Sequence, residues 1–404
     1  MKKIIIIFSI LLLLNISSKS SLVSADPLLD LLNSILGGIL GLLVPLLKSL
    51  LGGILNLSPN EYTDLAKDLR LLASMGIKIS AKELQERAAE IAQINLLNDG
   101  DWTAKLGFNF LLPEEFRQKR RGALMADLAA DAVEDKPREK RVARAKRETC
   151  TYKTEFDVRD KWPGCRPIIS YVQDQAFCGC CWAVSTASCY TDRYCIDRAK
   201  KGLSTPNDAN NIFSAFDILS CAKPNGCEGD YPYTAWEWIR KYGVSTGTDY
   251  PRRNGCKPYP FSPTEKNPTT KPCTQSCTNR GWRIPYNNDR KHYISKFDNI
   301  KGEQAIKNEL QRNGPVVARF YYYEDLGAHR DGIYRHVWGA GGKDGHAFVI
   351  VGYGIRTCGN VKLPYWIIRN SWGTNFGEGG FFKFLRGKNE CGIEDYISYG
   401  IPKV

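Results

Sequence analysis

Cysteine is missing from the first 149 residues of this 404-residue chain; all fourteen lie from Cys150 onward. That void excludes a disulfide framework or a thiolate metal site from the first third. It also divides the chain into two parts of different chemistry, of which the cysteine-rich one suits an oxidising compartment. Histidine is scarce: only His292, His329, His336 and His346 exist, so imidazole chemistry must use one of these four. No second cysteine pair or Cys/His pair at zinc-ligand spacing follows Cys178-Gly-Cys180-Cys181, which argues against a metal centre there. Neither metal nor cofactor is expected. The formal charge is +13, and residues 151–404 hold 35 Lys/Arg against 25 Asp/Glu. No nucleic-acid motif accompanies the surplus, so it reads as a basic soluble surface, with nucleic acid not expected as a partner.

Long apolar runs occur only near the N-terminus. Lys2 and Lys3 precede the run 4–14, and Val23-Ser24-Ala25 offers small residues for cleavage. Residues 1–25 therefore read as a signal peptide. Residues 26–57 contain a near-repeat, LLNSILGGIL at 31–40 and LLKSLLGGIL at 46–55. Three readings are open for it: a transmembrane or re-entrant segment broken by Gly-Gly and Pro45, a membrane-surface or self-associating element, or an apolar linker packing on the rest of the precursor. Membrane contact through 26–57 is one of these.

Residues 58–147 divide in two. Over 60–100 the periodicity predicts helices, with one apolar stripe at Leu65, Leu69 and Leu72 and another at Leu84, Ala88 and Ile91. Ser80 and Glu83 form a capping box before the second. Residues 117–148 are polar and charged and read as an exposed linker. Its basic runs Arg138-Glu-Lys140-Arg141 and Arg144-Ala-Lys146-Arg147 read as processing sites. From 148 to 404 the composition turns to Trp, Tyr, Gly and Cys. Helices are expected over 181–201 and 302–312, then strands over 316–323, 347–352, 365–369 and 380–385. That order predicts an α+β fold with two subdomains.

Three segments could carry chemistry. In Gln175-Ala-Phe-Cys178-Gly-Cys180-Cys181-Trp182 a glycine lets the backbone turn into a helix N-terminus at Cys181. The N–H groups and dipole there favour a thiolate and can bind an oxyanion, with the Gln175 amide as second donor. Asp344-Gly-His346 places a histidine at the start of an apolar strand, which on its own is equally a strand cap. Asn370-Ser-Trp372-Gly follows another strand; its amide could fix an imidazole and Trp372 could shield that bond, although alone the motif could be a turn.

Together these motifs resemble those of papain-like cysteine peptidases, in the family's order Gln, Cys, His, Asn. The likeness spans 151–404 and is strongest to cathepsin B: residues 151–165, Asp192-Arg-Tyr-Cys195, 225–232, 255–259, 313–316 and Cys391-Gly-Ile-Glu394 all read like it. In the prosegment, Trp102 to Phe110 resembles the short cathepsin B propeptide. The resemblance implies a helical left lobe, a β-barrel-like right lobe and a helical propeptide that inhibits until cleaved. It implies Cys181 as nucleophile, His346 as its ion-pair partner and acid, Asn370 as orienter and Gln175 at the oxyanion. Gly229, Asp230, Gly345, Trp372 and Tyr396 would line the substrate groove. It also implies disulfides Cys165–Cys195, Cys178–Cys227, Cys221–Cys273 and Cys256–Cys277, leaving Cys150, Cys180, Cys189, Cys358 and Cys391 unassigned. Expected partners are protein and peptide substrates, the chain's own propeptide and cystatin-type inhibitors.

Several residues depart from that family. Residues 259–272 hold no histidine pair to grip a substrate's C-terminal carboxylate, so endopeptidase action is expected, with carboxydipeptidase activity weak or absent; Lys266 or Lys271 is a weaker substitute. Tyr396 replaces a glutamate at the S2 floor, favouring apolar side chains over arginine. Cys180 replaces serine, Asp230 replaces a glycine, Glu228 adds a nearby carboxylate, and Phe376 replaces a tryptophan. Together with the apolar repeat, Cys180 and Asp230 motivate a rival class, a catalytically weak homologue with a binding or membrane-associated role. A purely structural disulfide-rich protein would require three catalytic motifs to coincide by chance. Entry into the secretory pathway is expected, with secreted and lysosomal or digestive fates both open. The one glycosylation signal outside the signal peptide is Asn56-Leu-Ser58.

Overall fold

The structure, a computed structural model, describes residues 40–125 and 150–404. The expected signal peptide, the first copy of the repeat and both basic runs lie outside the described residues.

Helix α1, Leu40–Leu51, contains the second copy up to its glycines and carries Pro45 within it. Leu47, Leu51 and Leu55 are buried in the core. These leucines lie against α2, Pro59–Ser74, and α3, Ala81–Leu97. Among the described residues no helix is long and apolar enough to cross a membrane. Helix α2 starts with a complete capping box, Ser58 and Glu61 each accepting from the other's backbone N–H. At α3 the Ser80 hydroxyl accepts from the Glu83 N–H at 3.1 Å. Leu65, Leu72, Leu84, Ala88 and Ile91 are buried, as the stripes predicted; Leu69 is only half-buried.

The expected exposed linker starts too early. Arg117 and Arg120 are buried and residues 119–125 run into the catalytic domain. Sequence charge misled because the partners lie elsewhere: Arg117 pairs with Glu114 at 3.0 Å, and Arg120 with Asp174 at 2.8 Å.

The long helix α4, Cys181–Lys200, lies almost entirely buried at the centre, with α5, Ala215–Cys221, and α6, Pro232–Tyr242, against it. Helix α7, Glu303–Asn313, precedes the strand-rich part. There the order is β1 (Trp102–Ala104), β5 (His329–Tyr334), β8 (Phe381–Leu385), β7 (Val361–Arg369), β6 (Gly341–Cys358), β4 (Val316–Tyr323), β9 (Ile397–Pro402), β3 (Ile294–Ile300). The sheet is open rather than a closed barrel, with β1 and β3 as its ends. Strand β2, Cys150–Asp157, pairs with the far half of β6, beyond the stretch paired with β4. The structure thus has the papain-like arrangement of a helical lobe, a sheet lobe and an N-terminal helical prosegment.

Buried polar residues join the lobes. Arg369, at the end of β7, meets Asp192 of α4 at 2.7 Å and donates to the Ile169 carbonyl at 2.6 Å. Arg193 meets Glu309 of α7 at 2.6 Å. Removing one partner of such a pair strands a buried charge. Five disulfides reinforce the catalytic domain: Cys165–Cys195, Cys178–Cys227, Cys221–Cys273, Cys256–Cys277 and also Cys150–Cys358. Cys178 is therefore committed to a disulfide, not to a metal. Cys180, Cys181, Cys189 and Cys391 form no disulfide.

Candidate active site

Cys181 is the first residue of α4 and fully buried. The N–H groups of Ala347, Gly122 and Trp182 approach its sulfur. Ala347 follows His346 in β6, which brings that strand to the nucleophile. Strands β6 and β7 are antiparallel, with Val349 opposite Arg369, so the residues just beyond β7 fold beside His346. There the His346 Nε2 and Asn370 Oδ1 are 2.8 Å apart. With Asn370 Oδ1 as acceptor, the imidazole proton sits on Nε2. His346 Nδ1 has no hydrogen-bond partner among the described residues. The Ser371 N–H also donates to Asn370 Oδ1, at 2.8 Å, and fixes the amide's direction. Trp372 covers the imidazole, ring centroids 4.7 Å apart, and Phe376 packs edge-on against Trp372 at 5.0 Å.

Gln175 is held by Ser371, whose hydroxyl donates to its Oε1 at 2.6 Å. Its Nε2 donates to the Cys178 carbonyl at 2.9 Å and the Arg120 carbonyl at 3.2 Å. The Trp372 indole N–H also donates to the Arg120 carbonyl, at 3.4 Å. A prosegment carbonyl thus occupies the donor assigned to an oxyanion.

The chain continues through the groove, with Ala123 bridged to Asp230 on one side and Gly345 on the other. The Gly122 and Ala123 N–H groups donate to the Gly345 carbonyl at 3.2 and 3.1 Å, and Leu124 N–H to the Asp230 carbonyl at 3.2 Å; Asp230 N–H donates back to the Gly122 carbonyl at 2.9 Å. Backbone approaches backbone so closely that side chains would collide. A Cβ on Gly122 would lie 1.8 Å from the Gly179 oxygen, and one on Gly345 2.4 Å from the Ala123 oxygen. Gly229 faces the same segment at a φ of +95°, where glycine is favoured.

Burial of the site changes its electrostatics. It pushes the Cys181 thiol up to about 12 and the His346 imidazole down to about 4, with Arg120 and Arg121 adding repulsion at the imidazole. With the groove covered, burial disfavours the charged form of both groups and so opposes the thiolate–imidazolium pair expected from the motifs.

The departures find physical explanations. Asp230 keeps both backbone groups in the groove, while its carboxylate turns to Thr234 at 3.0 Å and Lys223 at 3.3 Å. Glu228 is exposed. The Tyr259 hydroxyl donates to the Gln175 carbonyl at 2.7 Å and meets the buried Cys180 thiol at 3.0 Å. Tyr396 lies with Met125, Tyr321 and Tyr323 in one apolar cluster. In the loop 259–272, Asn267 accepts from Lys119 of the prosegment at 2.7 Å. Of the other histidines, His329 stacks under Trp102, His292 packs on Phe213, and His336 stacks on Tyr323.

Sequence reasoning missed Arg120 and the Cys150–Cys358 bond. The apolar run Ala123-Leu124-Met125, directly after Lys119-Arg120-Arg121-Gly122, was the one available signal for the groove segment.

Comparison with known proteins agrees with this arrangement. The pattern of the papain family cysteine protease matches residues 152–401. The chain is 41% identical over 256 residues to a gut-specific cysteine proteinase of Caenorhabditis elegans, covering 62% of this chain and 73% of that one. It is 34% identical over 355 residues to cathepsin B-like cysteine proteinase 6 of the same organism, covering 82% and 89%. Among solved structures it superposes on procathepsin B S9 of Trypanosoma congolense with a TM-score of 0.60 at 33% identity, covering 78% of this chain and 98% of the other.

Proposed function

The chain belongs to the papain family of cysteine proteases, with cathepsin B-like relatives, and we propose that it is a zymogen of a cysteine endopeptidase using Cys181, His346 and Asn370. The observation that carries this is the His346–Asn370 bond of 2.8 Å beside a helix N-terminal Cys181. Once the groove opens, water and the α4 N-terminus favour the thiolate and His346 takes the proton. The thiolate sulfur attacks the scissile carbonyl carbon, and the displaced electron pair becomes an oxyanion. Gln175 Nε2 and the Cys181 N–H stabilise it. His346 delivers its proton to the amine as the C–N bond breaks, leaving a thioester. The imidazole then deprotonates a water that hydrolyses the thioester and restores Cys181.

We assign Gly229, Asp230 and Gly345 to substrate backbone and Tyr396 to a side-chain pocket. The histidine-free loop 259–272 supports endopeptidase over carboxydipeptidase action, and the relative named gut-specific supports a digestive setting reached through the secretory pathway. The asparagine-oriented histidine and the occupied groove favour this reading over a weakly catalytic binding protein. The test is an epoxide thiol probe on the activated enzyme, followed by internally quenched peptides with free and amidated C-termini. The proposal expects a stoichiometric adduct at Cys181 and equal cleavage of both peptide forms. No adduct would return the rival binding role; strong preference for a free C-terminus would return carboxydipeptidase activity.

A further inference from the structure

The prosegment lays two consecutive arginines over one side of the groove, and each faces a carboxylate of the catalytic domain. Arg120 pairs with Asp174 at 2.8 Å, its guanidinium 5.5 Å from the Phe177 ring and 5.6 Å from the Trp372 ring. Arg121 lies over Tyr322, 4.3 Å from the ring centroid, and its Nη1 reaches Asp344 at 3.5 Å. Its Nη2 meets Glu114 at 2.6 Å, a prosegment residue that departs with it. The buried Tyr322 ring packs against Trp372, centroids 6.1 Å apart, while the Asp344 side chain is 58% exposed even with the groove filled. The order of contacts identifies the side. Gly122, Ala123 and Leu124 bond to Gly345 and Asp230, and the Gly122 N–H approaches the Cys181 sulfur. Arg121 precedes them, towards Trp372 and the imidazole it covers, where the leaving amine takes up its proton. The corner between Tyr322 and Asp344 thus faces the residue that follows the scissile bond.

We propose that Asp344, together with Tyr322, is a specificity-determining residue that makes this corner accept a basic substrate side chain, arginine above all, at the first position after the scissile bond, and disfavour an acidic one. The proposal rests on the endopeptidase reading above. Arg121 is the stand-in: a guanidinium already seated on the ring and beside the carboxylate that a substrate arginine would use. The face of an aromatic ring attracts a guanidinium, and a carboxylate accepts its N–H groups. Like charge opposes glutamate. When the prosegment leaves, Asp344 and Asp174 both lose the cations that face them. Leucine gains the ring area of Tyr322 without the charge and is cleaved at an intermediate rate. A cation at Arg121's place opposes protonation of His346, so the preference belongs in KM rather than in kcat.

The experiment uses enzyme processed from the full-length precursor, its active sites counted with the epoxide probe. Three quenched peptides differ only at the residue after the cut, carrying Arg, Leu or Glu, and mass spectrometry verifies that each is cut at the same bond. Wild-type enzyme should cleave the Arg peptide at least about tenfold better than the Glu peptide in kcat/KM, with the difference in KM. Asp344→Asn should reduce that ratio about fivefold, Asp344→Lys should invert it, and Asp344→Glu should keep its sign. The wild-type ratio should shrink with added salt. A wild-type enzyme indifferent between Arg and Glu would overturn the proposal whatever the variants do. In variants that still titrate, an unchanged ratio for Asp344→Asn and Asp344→Lys would overturn it too, as would an equal loss on all three peptides, which would make Asp344 a support of the groove rather than a selector. A wild-type enzyme that neither titrates nor cleaves any peptide fails earlier, at the proteolytic reading itself.

Discussion

The side-chain amide of Gln175 donates to the backbone carbonyl of Arg120 at 3.2 Å, so the precursor fills its own oxyanion donor with one of its own peptide groups. The same segment lies over Cys181 and keeps its thiol protonated, pushed up to about 12. Alkylation needs the thiolate. Iodoacetamide at pH 7 should therefore label the precursor at Cys181 at least about a hundredfold more slowly than the processed enzyme. Peptide mapping after timed quenching measures this; equal rates would contradict a buried, neutral thiol.

Gly122 passes closest to the catalytic domain. Replacing it with alanine puts a methyl group 1.8 Å from the Gly179 oxygen, backbone that cannot swing aside. Overpacking of that kind costs typically about 1–3 kcal/mol. The Gly122→Ala precursor should leak activity, with probe labelling of intact precursor rising roughly five- to a hundredfold. Gly53→Ala, whose methyl group would meet nothing within 4 Å, should not speed labelling.

Acid should loosen the prosegment through His329. The ring is buried beneath Trp102, and burial lowers its pKa to about 3, with Lys383 and Lys105 adding repulsion. A solvated imidazole titrates near 6.5. Above that value both docked and undocked forms are neutral and docking is at full strength. As pH falls from there towards 3, the undocked form takes up the proton and the docked one does not. Docking then weakens by up to about 1.4 kcal/mol per pH unit. Precursor labelling should accelerate between about pH 6.5 and 4, and His329→Gln should flatten that rise. Parallel profiles would remove His329 as a cause.

Trp102 is the apolar end of the same anchor. It is 2% exposed and its indole N–H donates to the Arg335 carbonyl at 3.1 Å. Truncation to alanine should cost about 3–5 kcal/mol of docking. Precursor bearing Trp102→Ala should label nearly as fast as processed enzyme at pH 7.

The Cys150–Cys358 bond closes a sequence separation of 208 residues at the tip of the β6–β7 hairpin. A cross-link of this kind contributes roughly 2–4 kcal/mol. The double variant Cys150→Ser/Cys358→Ser should lower the melting midpoint by roughly 5–15 °C. Peptide cleavage at 25 °C should be unchanged, because along β6 this end lies on the order of 40 Å from His346. Loss of activity without loss of stability would show that the hairpin tip reaches the groove.

What could be read from the sequence was whatever its local chemistry announces. A glycine turn before Cys181, a histidine opening a strand and an asparagine closing another are each contiguous signals, and the helix stripes of α2 and α3 follow from periodicity. The groove segment was hidden because Arg117 and Arg120 look like solvated charge until Glu114 and Asp174 are seen beside them. Cys150 had several possible partners, and only the pairing of β2 with the far half of β6 selects Cys358.

Strand β2 is stitched to the sheet by its ladder and by a covalent bond, whereas the described groove contacts of the inhibitory segment, which run to Met125, are noncovalent. A cut at the basic runs 138–141 or 144–147 leaves every hydrogen bond described for residues 120–125 in place. Nicking and unmasking are therefore separate events. A two-chain species, already processed by mass yet still silent towards substrate, should accumulate whenever scission outruns dissociation, and dilution or acid rather than further proteolysis would then set it going.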